Sequence, residues 1–475
     1  KQYNKYLLCI YEFDIIKTSN SIWERNAMKK ILILLIVSFL LVGCNNATDM
    51  EGLNDKVIAL EEALEIESML IEDYESRINQ LEDLLDFYTN ELNTTIRENN
   101  ALESSFEELK NETEEELEEL RKALVEGGMM YNINVFLADE YYLTVGDTFQ
   151  LFYRSVIQAQ NPYGYYIRLK GTVGHAYNRY YEWTPAEINN NQTYSLTLEV
   201  CDDNGNVYGS KSTKLIVSKP TSEPTRNILA IGDSLTANGV WISSGYKKYI
   251  ENGGSTINFI GTISSTHGGV TFNYEGRGGW QWSSFMNVSE SPFKNNASNG
   301  ISFLDYAGRL SVDTIDELYI LLTWNGVGGS FREFDLSKEP LLSAKKLIDK
   351  YHDEYPNGKI TLLGIPQPSV NAGLGAYYTI NQSYGDNYGQ FVTALNYNKA
   401  LEDFAKMEEY KDFMRFVDVK GQFDSEYNMP TVSKPVNNQN STTEQVGASM
   451  GMHPTNNGYL QIGDVFYRAL SKRTN

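Results

Sequence analysis

A chain of 475 residues is too long for one ordinary domain, so two or three are expected. Its formal charge of −22 is concentrated: residues 49–126 carry 25 acidic and 6 basic side chains, a net −19, and the remainder is close to neutral. No basic patch marks a nucleic-acid surface, and an acidic stretch repels polyanions, so nucleic acid is excluded as a partner. The three cysteines, Cys9, Cys44 and Cys201, show no paired spacing, which points away from a disulfide framework or a zinc site.

In chain order, residues 1–27 come first. They precede a good start at Met28 and read as upstream translated sequence, outside the fold. Met28-Lys29-Lys30 is a charged head, and residues 31–42 form an apolar run of twelve. That run is too short to span a bilayer as a helix and suits the core of a signal peptide. Leu41-Val42-Gly43-Cys44 follows. It resembles the lipobox of bacterial lipoproteins, which implies that 28–44 is a signal ending in a lipidated Cys44. The expected location is then the bacterial cell surface, anchored to the membrane through acyl chains. The alternative is an uncleaved membrane anchor with an incidental cysteine.

Residues 50–126 follow as an acidic stalk. From Val57 to Leu120 a seven-residue pattern runs without proline or glycine. One seam takes Val57, Leu64, Ile71, Ile78, Leu85 and Leu92, and continues through Asn99 and Phe106. The other takes Leu60, Glu67, Tyr74, Leu81 and Tyr88, and continues through Leu102 and Leu109. Such heptads predict a coiled coil that oligomerises and, at 1.5 Å per residue, reaches roughly 100 Å. The plainer reading is an acidic helix, partly disordered when alone.

Gly127-Gly128 ends that helix, and residues 131–218 change character. Alternating or β-rich runs at 132–137, 148–153, 165–170, 194–200 and 213–217 are separated by turn signals, predicting a small β-sandwich. Val145-Gly146-Asp147, Glu182-Trp183-Thr184-Pro185 and Asp203-Asn204-Gly205-Asn206 are similar in order to motifs of bacterial Ig-like modules. Cys201 reads as a packed thiol. The many tyrosines, with His175, read as sheet and core aromatics rather than a sugar-binding face. Residues 219–226, with Pro220 and Pro224, form a linker.

Residues 227–475 alternate strand and helix. Strands are expected at 227–231, 256–260, 317–323, 359–365 and 415–419, and helices at 341–355, 391–407 and 457–470. This predicts a parallel sheet covered on both faces, an α/β/α three-layer domain, with ligands at the carboxyl ends of the strands.

Four blocks in this last domain carry chemistry. Ile231-Gly232-Asp233-Ser234-Leu235 places a serine in a turn after the first strand. Gly276-Arg277-Gly278-Gly279-Trp280 offers a loop whose backbone can approach a ligand closely. Thr323-Trp324-Asn325-Gly326 places an amide after a later strand. Met452-His453-Pro454 leads into the last helix. A serine hydroxyl needs a base within hydrogen-bond reach, and the oxyanion formed on attack needs preorganised donors. Ser234, Gly279, Asn325 and His453 supply those parts. Of the other histidines, His352 sits in a charged helical setting and reads as surface, and His267 lies in a loop that borders the site.

The order and company of these blocks resemble the SGNH/GDSL hydrolases over roughly 226–475. The resemblance implies a flavodoxin-like fold, no metal or other cofactor, and catalytic roles for Ser234, Gly279, Asn325 and His453. Two departures stand out: Thr323 replaces the family's usual glycine two residues before the asparagine, and Met450 replaces its acid three residues before the histidine. A thioether cannot serve as that acceptor. The Nδ1–H of His453 is then left to a backbone carbonyl in its own loop or to a carboxylate from elsewhere, of which Asp424 is the nearest plausible one in sequence.

The expectation is a multidomain surface lipoprotein: stalk, Ig-like sandwich and serine esterase. Its expected substrate is an O-acetylated carbohydrate, attacked by a Ser-His mechanism. Three alternatives stay open: a lipase or thioesterase, a non-catalytic glycan-binding or adhesion protein on the same fold, and a protein that is chiefly a surface spacer.

Overall fold

The computed structural model describes residues 47–126, 132–159, 161–287, 289–295, 297, 300–328, 331–369, 387–437, 440–449 and 451–472. The leader, Cys9, Cys44 and Met450 lie outside these residues. The chain divides into two compact units, 1–119 and 120–475.

The first unit is carried by one helix, α1 (Ala47–Glu126), of 80 residues. Nothing from Val57 to Leu120 breaks it, since proline and glycine are both missing there. Along it Ile78, Leu81, Leu85, Tyr88, Leu92 and Phe106 are exposed. A helix of this length gains little from propensity alone, and these described seam residues are left uncovered.

The second unit begins with β1 (Glu140–Thr144), β2 (Phe149–Phe152), β3 (Tyr166–Gly171), β4 (His175–Ala176), β5 (Tyr180–Trp183), β6 (Thr193–Cys201) and β7 (Val207–Ser218). They form a four-stranded sheet, β1-β7-β6-β3, and a three-stranded sheet, β2-β5-β4. Residues from both, among them Leu143, Phe149, Leu151, Tyr181, Leu198 and Leu215, share one core. The expected strand at 132–137 is not formed; Val135 makes only an isolated bridge to Ile157. The first strand is instead β1, parallel to β7. It is buried along almost its whole length and so reads as a continuous apolar run, Tyr141-Tyr142-Leu143, rather than as an alternation. Cys201 closes β6 as a free, buried thiol, and burial pushes its pKa up.

The rest of the unit is a sheet with helices. Its strands are β8 (Arg226–Gly232), β9 (Ile257–Ile260), β10 (Ile263–His267), β11 (Val270–Gly276), β12 (Glu317–Leu321), β13 (Lys359–Leu363) and β14 (Met414–Val417). The order is β10-β11-β8-β12-β13-β14, with β9 also on β8. The pairings of β8 with β9, β11 and β12, and of β13 with β12 and β14, are all parallel. β8 and β12 are buried on both faces, hence the unbroken Ile228-Leu229-Ala230-Ile231 and Leu318-Tyr319-Ile320-Leu321. The expected strands and the three expected helices are present. The helices are Leu341–Glu354, Asn387–Lys406 and Asn456–Ser471. The hairpin β10-β11 and a second one, Thr431–Pro435 with Glu444–Ala448, carried no clear signal in the sequence.

The two layers of this unit are joined by buried polar contacts. Arg468, on the last helix, donates to Asp147 Oδ2 at 2.6 Å, Gln422 Oε1 at 2.9 Å and Thr148 O at 2.6 Å. Tyr141 donates to Asp418 Oδ2 at 2.6 Å. Lys420 is fully buried and reaches Ser155 O, and burial lowers its pKa to about 8. Phe152 N–H donates to Gly421 O at 2.8 Å. The β-sheet layer and the α/β layer therefore pack as one unit, in spite of the two prolines at 219–226.

Arg468→Ala removes three hydrogen bonds at once and leaves Asp147 paired with Lys248 alone, so it is expected to destabilise the second unit by about 1–3 kcal/mol, read from urea unfolding. A loss below about 1 kcal/mol would mean that the pair behaves as a surface pair.

Candidate active site

Strand β8 ends at Gly232, and Asp233 turns the chain into α2, a single helical turn at Ser234–Ala237. Gly232 is required by close approach: a Cβ there would lie 2.4 Å from Leu321 O. Asp233 is the N-cap, accepting from Leu235 N–H at 3.0 Å through Oδ1. Its Oδ2 accepts from Thr323 N–H at 2.8 Å, from the Thr323 hydroxyl, and from Asn325 Nδ2 at 3.3 Å. The carboxylate has no solvent exposure. Burial raises its pKa, and these four donors oppose that shift by stabilising the anion.

This network accounts for Thr323. Where a glycine could give only its backbone N–H, threonine gives the backbone and a hydroxyl to the same oxygen. The network also orients Asn325: one N–H of its amide is committed to Asp233, leaving the other to a ligand. A reading of the motif blocks one at a time missed Asp233 as an organising residue. Its signal was available: an acid directly before a short helix is a capping residue.

The third strand end is β11, which places Gly276 beside β8. Arg277 N–H donates to Gly232 O at 2.9 Å, and Trp280 N–H to Arg277 O at 3.1 Å, closing a turn that contains Gly278 and Gly279. Gly279 has φ +78°, a conformation open to glycine at little cost. A Cβ on Gly278 would lie 4.0 Å from Ser234 Cβ, so this turn passes directly by the serine. The Gly279 N–H has no hydrogen-bond partner among the described residues. Arg277 is held from below by the buried Glu275, at 2.5 Å.

His453 lies between the second hairpin and the last helix. Its Nε2 is 2.8 Å from Ser234 Oγ, across 219 residues of sequence. The ring is half-buried, and burial lowers its pKa from 6.5. The following helix is capped by Thr455, which accepts from Gly458 N–H at 3.3 Å. Among the described residues no carboxylate is hydrogen-bonded to His453. Position 450 lies outside them.

Asp424, the candidate third member, is engaged elsewhere. Its Oδ1 accepts from Arg179 Nη2 at 2.8 Å and from the N–H groups of Glu426 and Tyr427. A carboxylate tied to an arginine and two amides serves its own loop, and it makes no bond to the imidazole. His267 ends β10 and lies beside Gly239, just beyond α2. His352 is not a simple surface residue: its ring stacks on Phe413 with centroids 3.6 Å apart.

The structure thus brings together a serine hydroxyl, an imidazole, an amide and a glycine turn. Such a set can activate a hydroxyl and receive an oxyanion. No group of His, Cys, Asp and Glu that could hold a metal occurs among the described residues.

No protein-family model matches the chain, and no curated protein matches it in sequence. Among solved structures it is similar to the Clostridium thermocellum family 3 carbohydrate esterase. The identity is 16%, covering 51% of this chain and 94% of the other, with TM-score 0.31. It is also similar to a possible lipase from Chitinophaga pinensis: 15% identity, 51% and 96% covered, TM-score 0.33. An extracellular lipase from Streptomyces rimosus is similar at 13% identity, 50% and 98% covered, TM-score 0.27. At such scores the site stands on its own geometry.

If His453 is the base, only its neutral form works, and activity falls as pH drops through its pKa. Because burial disfavours the imidazolium, the acid limb of kcat/KM is expected below pH 6.5. A limb at or above 6.5 would contradict a half-buried base.

Removal of the amide is the second test of the site. Asn325→Ala is expected to lower kcat by about 10²–10³, with little change in KM. A change in KM alone would make Asn325 a ground-state binding residue.

Proposed function

We propose that the chain is a serine ester hydrolase of the SGNH/GDSL type. The observation that carries this is the 2.8 Å contact between Ser234 Oγ and His453 Nε2. It is set beside the Asn325 amide and the Gly279 turn at the carboxyl ends of parallel strands. Ser234 Oγ attacks the ester carbonyl carbon while its proton passes to His453 Nε2. The tetrahedral oxyanion takes hydrogen bonds from Asn325 Nδ2 and from the N–H groups of Ser234 and Gly279. As the intermediate collapses, the ester C–O bond breaks and His453 returns the proton to the leaving alcohol. Water then attacks the acyl-Ser234 by the same route, releasing the acid and the free serine. With no carboxylate on its other nitrogen among the described residues, His453 works as the base of a Ser-His dyad.

The proposed substrate is a small acyl ester, an O-acetyl group, on a carbohydrate polymer. Support comes from how open the site is. Ser234, Asn325 and His453 are only half-buried, and Gly278 and Gly279 are exposed, so the reacting centre meets a bulky ester at the surface. Trp280, half-buried next to Gly279, lies 5.0 Å under the Arg277 guanidinium. The pair makes a flat rim suited to a sugar ring. We further propose that lipidated Cys44 anchors the protein at the cell surface and that α1 self-associates as a coiled-coil stalk. The exposed heptad seam supports self-association.

The test is acetate release from a panel of acetylated glycans by the purified protein, beside short-chain aryl esters. The wild type is expected to release acetate, and Ser234→Ala to abolish release while keeping the circular dichroism and melting temperature of the wild type. Equal turnover in the two proteins would remove Ser234 as nucleophile. Preference for long acyl chains would turn the reading to a lipase.

A further inference from the structure

We infer that Arg179, a residue of the β-sheet layer, is a positioning residue for the catalytic histidine, so that this layer is a working part of the esterase site and not a spacer. The inference rests on the serine-esterase reading for its kinetic consequence and on geometry alone for its structural one.

The geometry is a chain of contacts with no gap. Arg179 stands one residue before β5, with its carbonyl accepting from Tyr153 N–H at 3.1 Å, so its backbone is part of the sheet layer. Its guanidinium reaches across to the loop after β14. Nε donates to Glu426 Oε2 at 2.6 Å, Nη2 donates to Asp424 Oδ1 at 2.8 Å, and the plane lies 4.4 Å from the centre of the Tyr427 ring. Three consecutive contacts of a planar fork over four residues fix that loop's conformation, and a lysine could not make them together.

From the loop the path runs to the base. Asp424 O accepts from Asn428 N–H at 3.0 Å. Asn428 O accepts from Thr455 N–H at 2.8 Å and from the Thr455 hydroxyl at 3.1 Å. Thr455 is two residues after His453 and caps the helix that follows it. Both Asp424 N–H and Asn428 Nδ2 also donate to Gln461 Oε1 in that helix, at 2.9 and 2.7 Å. The segment bearing His453 therefore rests on residues 424–428, and these are gripped from outside by Arg179.

Why the site needs such a brace follows from what His453 lacks. In a three-member arrangement a carboxylate bonded to Nδ1 holds the ring as well as its tautomer. No carboxylate does this among the described residues, so the ring's aim depends on its backbone. The tolerance is small, because a displacement of about 1 Å at a reacting group costs up to about 10²-fold in rate.

The experiment combines kinetics and hydrogen exchange on the full chain, comparing wild type with Arg179→Ala and Arg179→Lys. Lys219→Ala removes an exposed ion pair with Glu187 in the same layer and is the control, expected to match wild type. Arg179→Ala is expected to lower kcat by about 10- to 100-fold with KM within about twofold, and Arg179→Lys by less. In both variants, peptides containing Thr455 are expected to exchange faster while peptides from β8 and β12 do not. If the alanine variant does not fold, the lysine variant carries both readouts. Unchanged kcat, or unchanged exchange at Thr455, in either folded variant overturns the inference. If the wild type hydrolyses no ester, the esterase reading fails by itself; faster exchange at Thr455 then still supports the brace, and unchanged exchange overturns it.

Discussion

The Asp233 carboxylate, without contact to water, collects four hydrogen bonds in one spot: one from the turn that starts α2, two from Thr323 and one from Asn325. An unpaired carboxylate so placed would cost several kcal/mol, so donors must be supplied from both strand ends. That requirement sets the geometry of everything near it. It holds the end of β8 against the end of β12, aims the Asn325 amide, and starts the helical turn on which Ser234 stands. The glycine turn is attached to the same point from the other side through Arg277 N–H and Gly232 O. The histidine alone reaches the site from elsewhere, at the far end of the chain.

Two further sets of polar contacts in the second unit bear on the helix that follows His453. Arg468 is fixed by Asp147 and Thr148 at one end of the last helix, and Arg179 holds the loop under its beginning. A base delivered by a loop, with no carboxylate at its back among the described residues, needs its support from packing. In the arrangement inferred above, that support comes from the β-sheet layer through Arg179. The sheet layer precedes the α/β layer in sequence but packs against it in space.

What could be read from the sequence divides by range. The strand and helix order of 227–475 was legible because buried parallel strands are continuous apolar runs, as in Ile228-Leu229-Ala230-Ile231. The four candidate residues stand out locally: Ser234, Gly279 and Asn325 each follow a strand end, and His453 leads into the last helix. α1 was legible from its heptads. The role of Thr323 was not, because its partner Asp233 is 90 residues away. The loop of Asp424 was not either: its carboxylate is claimed by Arg179, 245 residues earlier, and nothing local announces that. The same cause misled the reading of the sheet layer. The alternation at 132–137 looks like a strand, while the real one, β1, is covered on both faces and shows no alternation.

The central claim is that Ser234 is activated by His453. Its most direct measurement is the reaction of the purified protein with a fluorophosphonate, followed by intact mass and peptide mapping. The account predicts one adduct per chain, on the peptide that contains Ser234, forming at least about 10²-fold more slowly in His453→Ala. Labelling spread over several serines, or labelling of Ser234 at an unchanged rate without His453, would contradict it.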